Sequence, residues 1–245
     1  MNFIQKIQLQ ALVPDSDCFL CGGTVDSTPT HSKLICHHCH LRLPVLINAC
    51  PICAMPIKTT EYTGLAIQAC GACLKQTPIF DKTIAAFHYE PPISDFITSL
   101  KFNAQHHFTP LLSNYLATTL RSHYQNEALP QALIPVPLHP KKSQERGFNQ
   151  AQLIAQSLSE QLQIPLLKDI AKRIRFTKAQ SALNADQRQR NLKGAFIVEP
   201  INKKSVALID DVMTTGATAN EISSQLLKAG ATRVDIWCVA RAFAI

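Results

Sequence analysis

Residues 205–220 read Ser-Val-Ala-Leu-Ile-Asp-Asp-Val-Met-Thr-Thr-Gly-Ala-Thr-Ala-Asn, and the fold is decided by how this stretch is read. Val206 to Ile209 form a continuous apolar run, the pattern of a strand covered on both faces. Two carboxylates, Asp210 and Asp211, stand where that strand is expected to end. Val212 and Met213 follow, then a small-residue loop of Thr214, Thr215, Gly216, Ala217 and Thr218. From Ala219 the pattern turns helical, because Leu226 and Leu227 fall four and five residues after Ile222. A strand, a hydroxyl-rich loop and a helix N-terminus in that order make an anion site. Backbone N–H groups point at the ligand and the helix dipole favours negative charge. The threonines add hydroxyl donors, and Gly216 allows a close approach or a positive φ.

The acid pair narrows the choice of anion. A Walker loop would need a Gly-Lys-Ser/Thr ending, which is absent. A dinucleotide fingerprint would need three glycines, and this loop has one. Two acceptors beside a phosphate cradle suit a sugar phosphate, with Asp210 and Asp211 on ribose hydroxyls and the 214–218 loop on the 5′-phosphate. The stretch resembles the phosphoribosyl-pyrophosphate (PRPP) signature of type I phosphoribosyltransferases at all thirteen positions from Val206 to Thr218. The plain alternative is an ordinary strand-to-helix turn.

The other informative feature is at the opposite end. Cysteines come in pairs, Cys18 with Cys21, Cys36 with Cys39, Cys50 with Cys53 and Cys70 with Cys73, separated by 14, 10 and 16 residues. Four such knuckles are enough for two four-thiolate structural zinc sites, each thiolate about 2.3 Å from the metal. Gly22 and Gly71 stand where tight turns help. Large apolar residues are few here, so metal is expected to supply much of the folding energy. Disulfides would need an oxidising compartment, and residues 1–12 are too short and polar for a signal peptide. His31, His37, His38 and His40 are read as surface residues, since eight thiolates already fill two tetrahedral sites. Sequential pairing of the knuckles is favoured and interleaved pairing stays open. The ninth cysteine, Cys238, reads as a buried strand residue.

The chain has 245 residues, enough for one α/β domain plus a small metal module. No apolar run reaches the length of a membrane helix, so a cytoplasmic protein without membrane insertion is expected. The net charge of +7 is uneven. Residues 1–80 carry five Lys/Arg against four Asp/Glu, and residues 81–245 carry nineteen against thirteen. The basic second part suits phosphorylated ligands or nucleic acid.

The boundary is placed near Pro78–Lys82, giving a double zinc-ribbon over residues 1–80 and an α/β domain over 81–245. In the second part, strands are expected at 83–89, 132–136, 166–170, 196–198, 206–209 and 234–239. Helices are expected at 93–102, 111–120 and 149–162, with a loop holding Lys141, Lys142, Glu145, Arg146 and Gly147. Strands alternating with helices mean a mostly parallel sheet with helices on both faces, and ligands at the carboxyl ends of strands. Asp210 and Arg146 fall there. Residues 168–193 are polar and hold eight basic residues, among them Lys172, Arg173, Arg175, Lys178, Arg188 and Arg190. That length suits a lid or a binding loop.

Taken together, several segments resemble the ComF family. They are the double zinc-ribbon start, Leu100-Lys101-Phe102, Pro135-Val136-Pro137-Leu138-His139, Arg146-Gly147-Phe148-Asn149-Gln150, the Gln180…Arg188…Arg190-Asn191 segment and the Asp210–Thr218 loop. The resemblance implies a type I phosphoribosyltransferase-like fold. It also implies a part in natural competence, handling incoming single-stranded DNA on the cytoplasmic side of the uptake machinery, together with other competence or DNA-processing proteins. Three readings remain open. In the first, Arg146, Lys172, Arg173, Arg175, Lys178, Arg188 and Arg190 bind DNA phosphates while the pocket holds a phosphorylated sugar or nucleotide. In the second, the chain is a phosphoribosyltransferase in which Mg²⁺ bridges pyrophosphate and ribose oxygens, and Arg146 and Lys178 steady the leaving group. In the third, the zinc module is an adaptor and the pocket a vestige or sensor.

Overall fold

The computed structural model describes residues 17–25, 34–57, 68–102, 105–175, 192–202 and 204–243. The chain divides into two compact units, Met1–Leu43 and Pro44–Ile245. Compactness therefore changes at 43/44, whereas composition changes near 78–82, and the second cysteine quartet lies between those two points.

In the smaller unit a knuckle closes where Asp17 bridges Thr24, with Cys18 N–H on the Gly23 carbonyl at 2.7 Å. Gly22 takes φ +68° to make that turn. A short helix, α1 (His37–His40), carries Cys39, and Val25, Ile35 and Leu43 are buried. The larger unit opens with a second knuckle of the same shape, where Ala49 bridges Pro56. Here Ala54, not a glycine, takes the left-handed position, at φ 53°. Gly71 does not have a positive φ; it starts the short helix α2 (Gly71–Lys75).

The core of the larger unit is a sheet of β1 (Lys82–His88), β2 (Ala132–Pro135), β5 (Ser205–Met213) and β6 (Arg233–Arg241), in the order β1-β6-β5-β2, all parallel. β3 (Ala171–Arg173) and β4 (Phe196–Val198) pair separately and antiparallel. The runs Val206–Ile209 and Val234–Ala240 are buried throughout, as a strand covered on both faces requires. One face packs Val206, Leu208 and Ile236 with Ile222 and Leu226 of α7 (Ala217–Lys228). The opposite face lies under α4 (Phe108–His123) and α6 (Gln150–Leu162), and Trp237 Nε1 reaches Tyr124 Oη at 3.1 Å just beyond α4.

Four sequence expectations need correction. The strand expected at 166–170 is a single bridge from Leu166 to Leu133, and a short strand forms at Ala171–Arg173. The basic loop 141–147 is helix α5 (Pro140–Arg146), started by His139 and proline and closed by Gly147 at φ 76°. β5 runs past Ile209 to Met213, so both acids lie within the strand. The following helix begins at Ala217, not Ala219. After β2 the chain crosses outward to Leu166, and after β5 it crosses the other way to β6. The carboxyl ends of β2 and β5 therefore flank a topological switch point, where open α/β sheets leave a crevice for ligands.

Candidate functional site

The crevice holds a recess of about 40 Å³, lined by Val136, Asp210 and the turn from Val212 to Ala219. One water needs roughly 10–15 Å³ of such space, so the recess has room for a group the size of a phosphate. Gly216 makes the turn possible: its φ is +78°, and a Cβ there would lie 2.7 Å from Met213 Cε. As the N-cap of α7, Gly216 offers no side chain to the first turn, and that turn carries no acid. The helix start is thus left open to an anion. Thr214 and Thr215 are exposed, and Thr215 Oγ1 accepts from Ala217 N–H at 3.4 Å.

Neighbouring residues of a strand face opposite ways, and this separates the acids. Asp210 borders the recess. Asp211 is 7% exposed and is held by Lys101 Nζ at 2.5 Å, from the last turn of α3 (Ile93–Phe102). Burial, then the charge of Asp211 beside it, pushes the Asp210 carboxyl well above the usual carboxylate range, and Lys101 offsets this in part.

The Arg146–Gln150 segment is a corner brace. Asn149 caps α6 through Ala151 N–H at 3.0 Å and donates to the Val136 carbonyl at 3.0 Å, fixing the corner to the end of β2. Arg146 donates to Gln150 Oε1 at 3.1 Å and lies over the exposed Phe102 ring at 5.1 Å. Arg146 does not line the recess. Burial, then the charges of Arg173, Arg146 and Lys101, lowers the Lys142 ammonium below the usual lysine range, against the opposing charge of Glu145, so cations from α3, α5 and β3 stand near it with one acid among them. Of the expected DNA-binding residues, Lys172 is exposed and paired with Glu199 at 2.9 Å, Arg173 lies over Phe196 at 5.4 Å, and Arg175 is exposed. Lys178, Arg188 and Arg190 lie outside the described residues.

The cysteines gather sequentially, Cys18, Cys21, Cys36 and Cys39 in one quartet and Cys50, Cys53, Cys70 and Cys73 in the other, with the sulfurs of each within 4.8 Å of one another. Tetrahedral zinc with bonds near 2.3 Å sets sulfurs about 3.8 Å apart. Cys21 and Cys36 are 3.7 Å apart and Cys53 and Cys70 are 3.6 Å apart, so the donor sets fit zinc. Burial raises the Cys18 and Cys50 thiols, but backbone N–H donors outweigh it and bring them to about 6 and about 7. Burial and the neighbouring sulfurs push Cys39 up to about 12. Cys238 is fully buried in β6, and burial, with Asp210 near it, raises its thiol to about 12, in keeping with an inert core residue.

Three residues have roles here that sequence reasoning did not give them. In the sequence Lys101 stands within Leu100-Lys101-Phe102 and Lys142 within the charged segment 141–147. Arg241 was not singled out, although a charge closing the apolar run Ile236–Ala240 was a usable signal.

The chain is 40% identical over 221 residues to Competence protein F of Haemophilus influenzae, a match spanning 84% of this chain and 96% of that protein. The chain belongs to the competence protein F (ComF) family. DNA utilization protein YhgH of Escherichia coli is 33% identical over 210 residues, 84% of this chain and 90% of YhgH. Competence protein ComFC of Streptococcus pneumoniae is 26% identical over 235 residues, 91% and 99% of the two chains. No protein-family model matches the chain. Among solved structures, a purine phosphoribosyltransferase from Pyrococcus horikoshii is similar over 55% of this chain and 79% of its own, with 20% identity and a TM-score of 0.33. The glutamine PRPP amidotransferase of B. subtilis is similar over 54% and 26%, with 18% identity and a TM-score of 0.36. This ComF chain has the expected parallel sheet with helices packed on it, and its two acids lie near the carboxyl end of β5. Among the described residues no helix is long and apolar enough to cross a membrane.

Proposed function

We propose that this ComF-family chain handles incoming single-stranded DNA on the cytoplasmic side during natural transformation, and holds a phosphorylated sugar of the PRPP class at the carboxyl end of β5. The observation that carries the pocket reading is the uncapped start of α7, which opens onto a phosphate-sized recess with Asp210 on its rim. The Thr214–Thr218 loop takes the 5′-phosphate, and Asp210 and Asp211 take ribose hydroxyls, Asp211 sharing itself with Lys101. Asp210, on the rim of the recess, would face Mg²⁺ brought in with PRPP, and the ion would supply charge neutralisation there. Zinc on the two cysteine quartets holds their loops together.

DNA handling is supported by the names of the relatives and by the gathered cations Lys101, Lys142, Arg146 and Arg173. Arg146 over the exposed Phe102 pairs a charge for phosphates with a ring for stacking bases. A second reading, phosphoribosyl transfer, is favoured by the unequal environments of the two acids. In that reaction the C1–O bond to pyrophosphate breaks, an acceptor forms a bond to C1 and loses its proton, and ionised Asp210 stabilises the oxocarbenium-like charge.

Calorimetry of PRPP with Mg²⁺, with and without a short single-stranded oligonucleotide, tests the proposal. Binding of both ligands, with coupling between them, is expected. DNA binding without PRPP binding would remove the sugar-phosphate pocket and the transfer reading together.

A further inference from the structure

Arg241 closes β6, opposite Met213 of β5 in the sheet register, and is 2% exposed. A buried guanidinium needs partners for a charge and for donors in a fixed fork. Among the described residues no carboxylate lies within ion-pair distance of Arg241, and its hydrogen bonds all go to main-chain carbonyls. Nε donates to Cys53 O at 2.8 Å, and Nη1 to Met213 O at 3.0 Å, to Ala242 O at 2.6 Å and to Thr214 O. One end of this fork holds a ligand loop of the second cysteine quartet. The other holds the two residues that lead into the phosphate loop. A second strut runs beside it: Thr77 Oγ1 donates to Cys73 O at 3.2 Å, and Ile79 N–H donates to Asn220 Oδ1 at 2.6 Å in the first turn of α7. The Phe80 ring lies 3.9 Å from the position a Cβ on Gly216 would take. Both struts start at metal-ligand residues and end at the anion site.

We propose that Arg241 is a positioning residue through which zinc on Cys50, Cys53, Cys70 and Cys73 fixes the shape of the 214–218 loop, so that the metal sets the loop's affinity for a phosphorylated ligand. The affinity half of this statement rests on the sugar-phosphate reading above. The coupling half does not. Without the metal the Cys53 loop is released, the fork loses one anchor, and the carbonyls of Met213 and Thr214 are no longer held at one orientation. Both anchors of this linkage, Cys53 and Cys73, belong to the second quartet.

Hydrogen exchange of the ligand-free, zinc-loaded protein separates the cases. Arg241→Gln and Cys70→Ser are each expected to speed exchange of the 215–219 amides by about tenfold, the scale of one lost charge-assisted hydrogen bond. The 206–209 amides should not change, and Cys36→Ser should leave both segments at wild-type rates. Because the two perturbations act on one path, the double variant should exchange no faster than Cys70→Ser alone. Additive effects, a Cys70→Ser loop at the wild-type rate, or equal loosening of 206–209 would each overturn the proposal. If Arg241→Gln does not fold, Arg241→Lys, which keeps the charge but not the fork, carries the same comparison. In calorimetry with Mg²⁺ and PRPP, Arg241→Gln should weaken binding, Cys70→Ser should weaken it at least as much because it frees both struts, and Cys36→Ser should bind like wild type. Failure of the wild-type protein to bind PRPP would refute the affinity half alone, leaving the exchange data to judge the coupling.

Discussion

Asp210→Asn should make the ligand-free protein more stable while disabling the site, and the gain should grow with pH. Asn keeps the shape and the Oδ1 acceptor that takes Asp211 N–H at 2.9 Å. It removes a carboxyl that burial and Asp211 hold well above its usual range. The folded wild type therefore keeps a proton that the unfolded chain releases near its ordinary value of about 3.9. Wild-type stability falls as pH rises from there through the folded pKa, and levels off above it. One proton corresponds to at most about 1.4 kcal/mol per pH unit in that window. For a chain of this size that is roughly 3–6 °C in melting temperature per unit. The Asn variant has no such slope, so thermal melts of the two proteins at a series of pH values, without Mg²⁺, should diverge as pH rises. The same proton must leave when Mg²⁺ and PRPP engage Asp210, so wild-type affinity should rise by up to about tenfold per pH unit across the window. A constant gap between the melting curves, or a variant less stable at every pH, would refute the account of Asp210.

Four further outcomes are expected. Gly216→Ala forces a left-handed alanine against Met213 Cε; calorimetry should show loss of PRPP binding, and melts a cost of about 1–2 kcal/mol. Asp211→Ala leaves Lys101 without its carboxylate; it should abolish PRPP binding and spare DNA affinity, and unchanged PRPP affinity would remove the ribose-site assignment. Cys36→Ser should lower bound zinc by one ion per chain in elemental analysis, and full retention would refute that ligand set. Charge reversal at Arg188 and Arg190 should weaken oligonucleotide binding regardless of sequence and flatten its salt dependence; no loss in either would move the DNA surface elsewhere.

The plan of the sheet and the cysteine quartets was legible because each is encoded over short spans. A knuckle needs two cysteines three residues apart, and a buried parallel strand needs an apolar run like Val206–Ile209. The turn after β5 is legible for the same reason, since strand, turn and helix start follow one another within sixteen residues. Where reading failed, local signals were weak or misleading. Helix α5 was hidden by its proline and its charges, which read as a loop until His139 is seen to cap it. The left-handed turn of the second knuckle falls on Ala54, where no glycine marks it.

What the sequence determined by itself was the class of each part: a start built on four cysteine knuckles, a mostly parallel α/β domain, and an acid pair on a strand that runs into a threonine-rich turn and a helix. Only the tertiary structure decided which groups meet. Strand alternation turns Asp210 toward the recess and Asp211 toward Lys101, a partner 110 residues away in the chain. Strand order brings Arg241 between Cys53 and Met213, so the second cysteine quartet packs with the sheet in one compact unit. Such contacts depend on how strands are ordered and how helices cross them. No spacing along the chain records that order, because each strand's own pattern is satisfied equally well beside any covered neighbour.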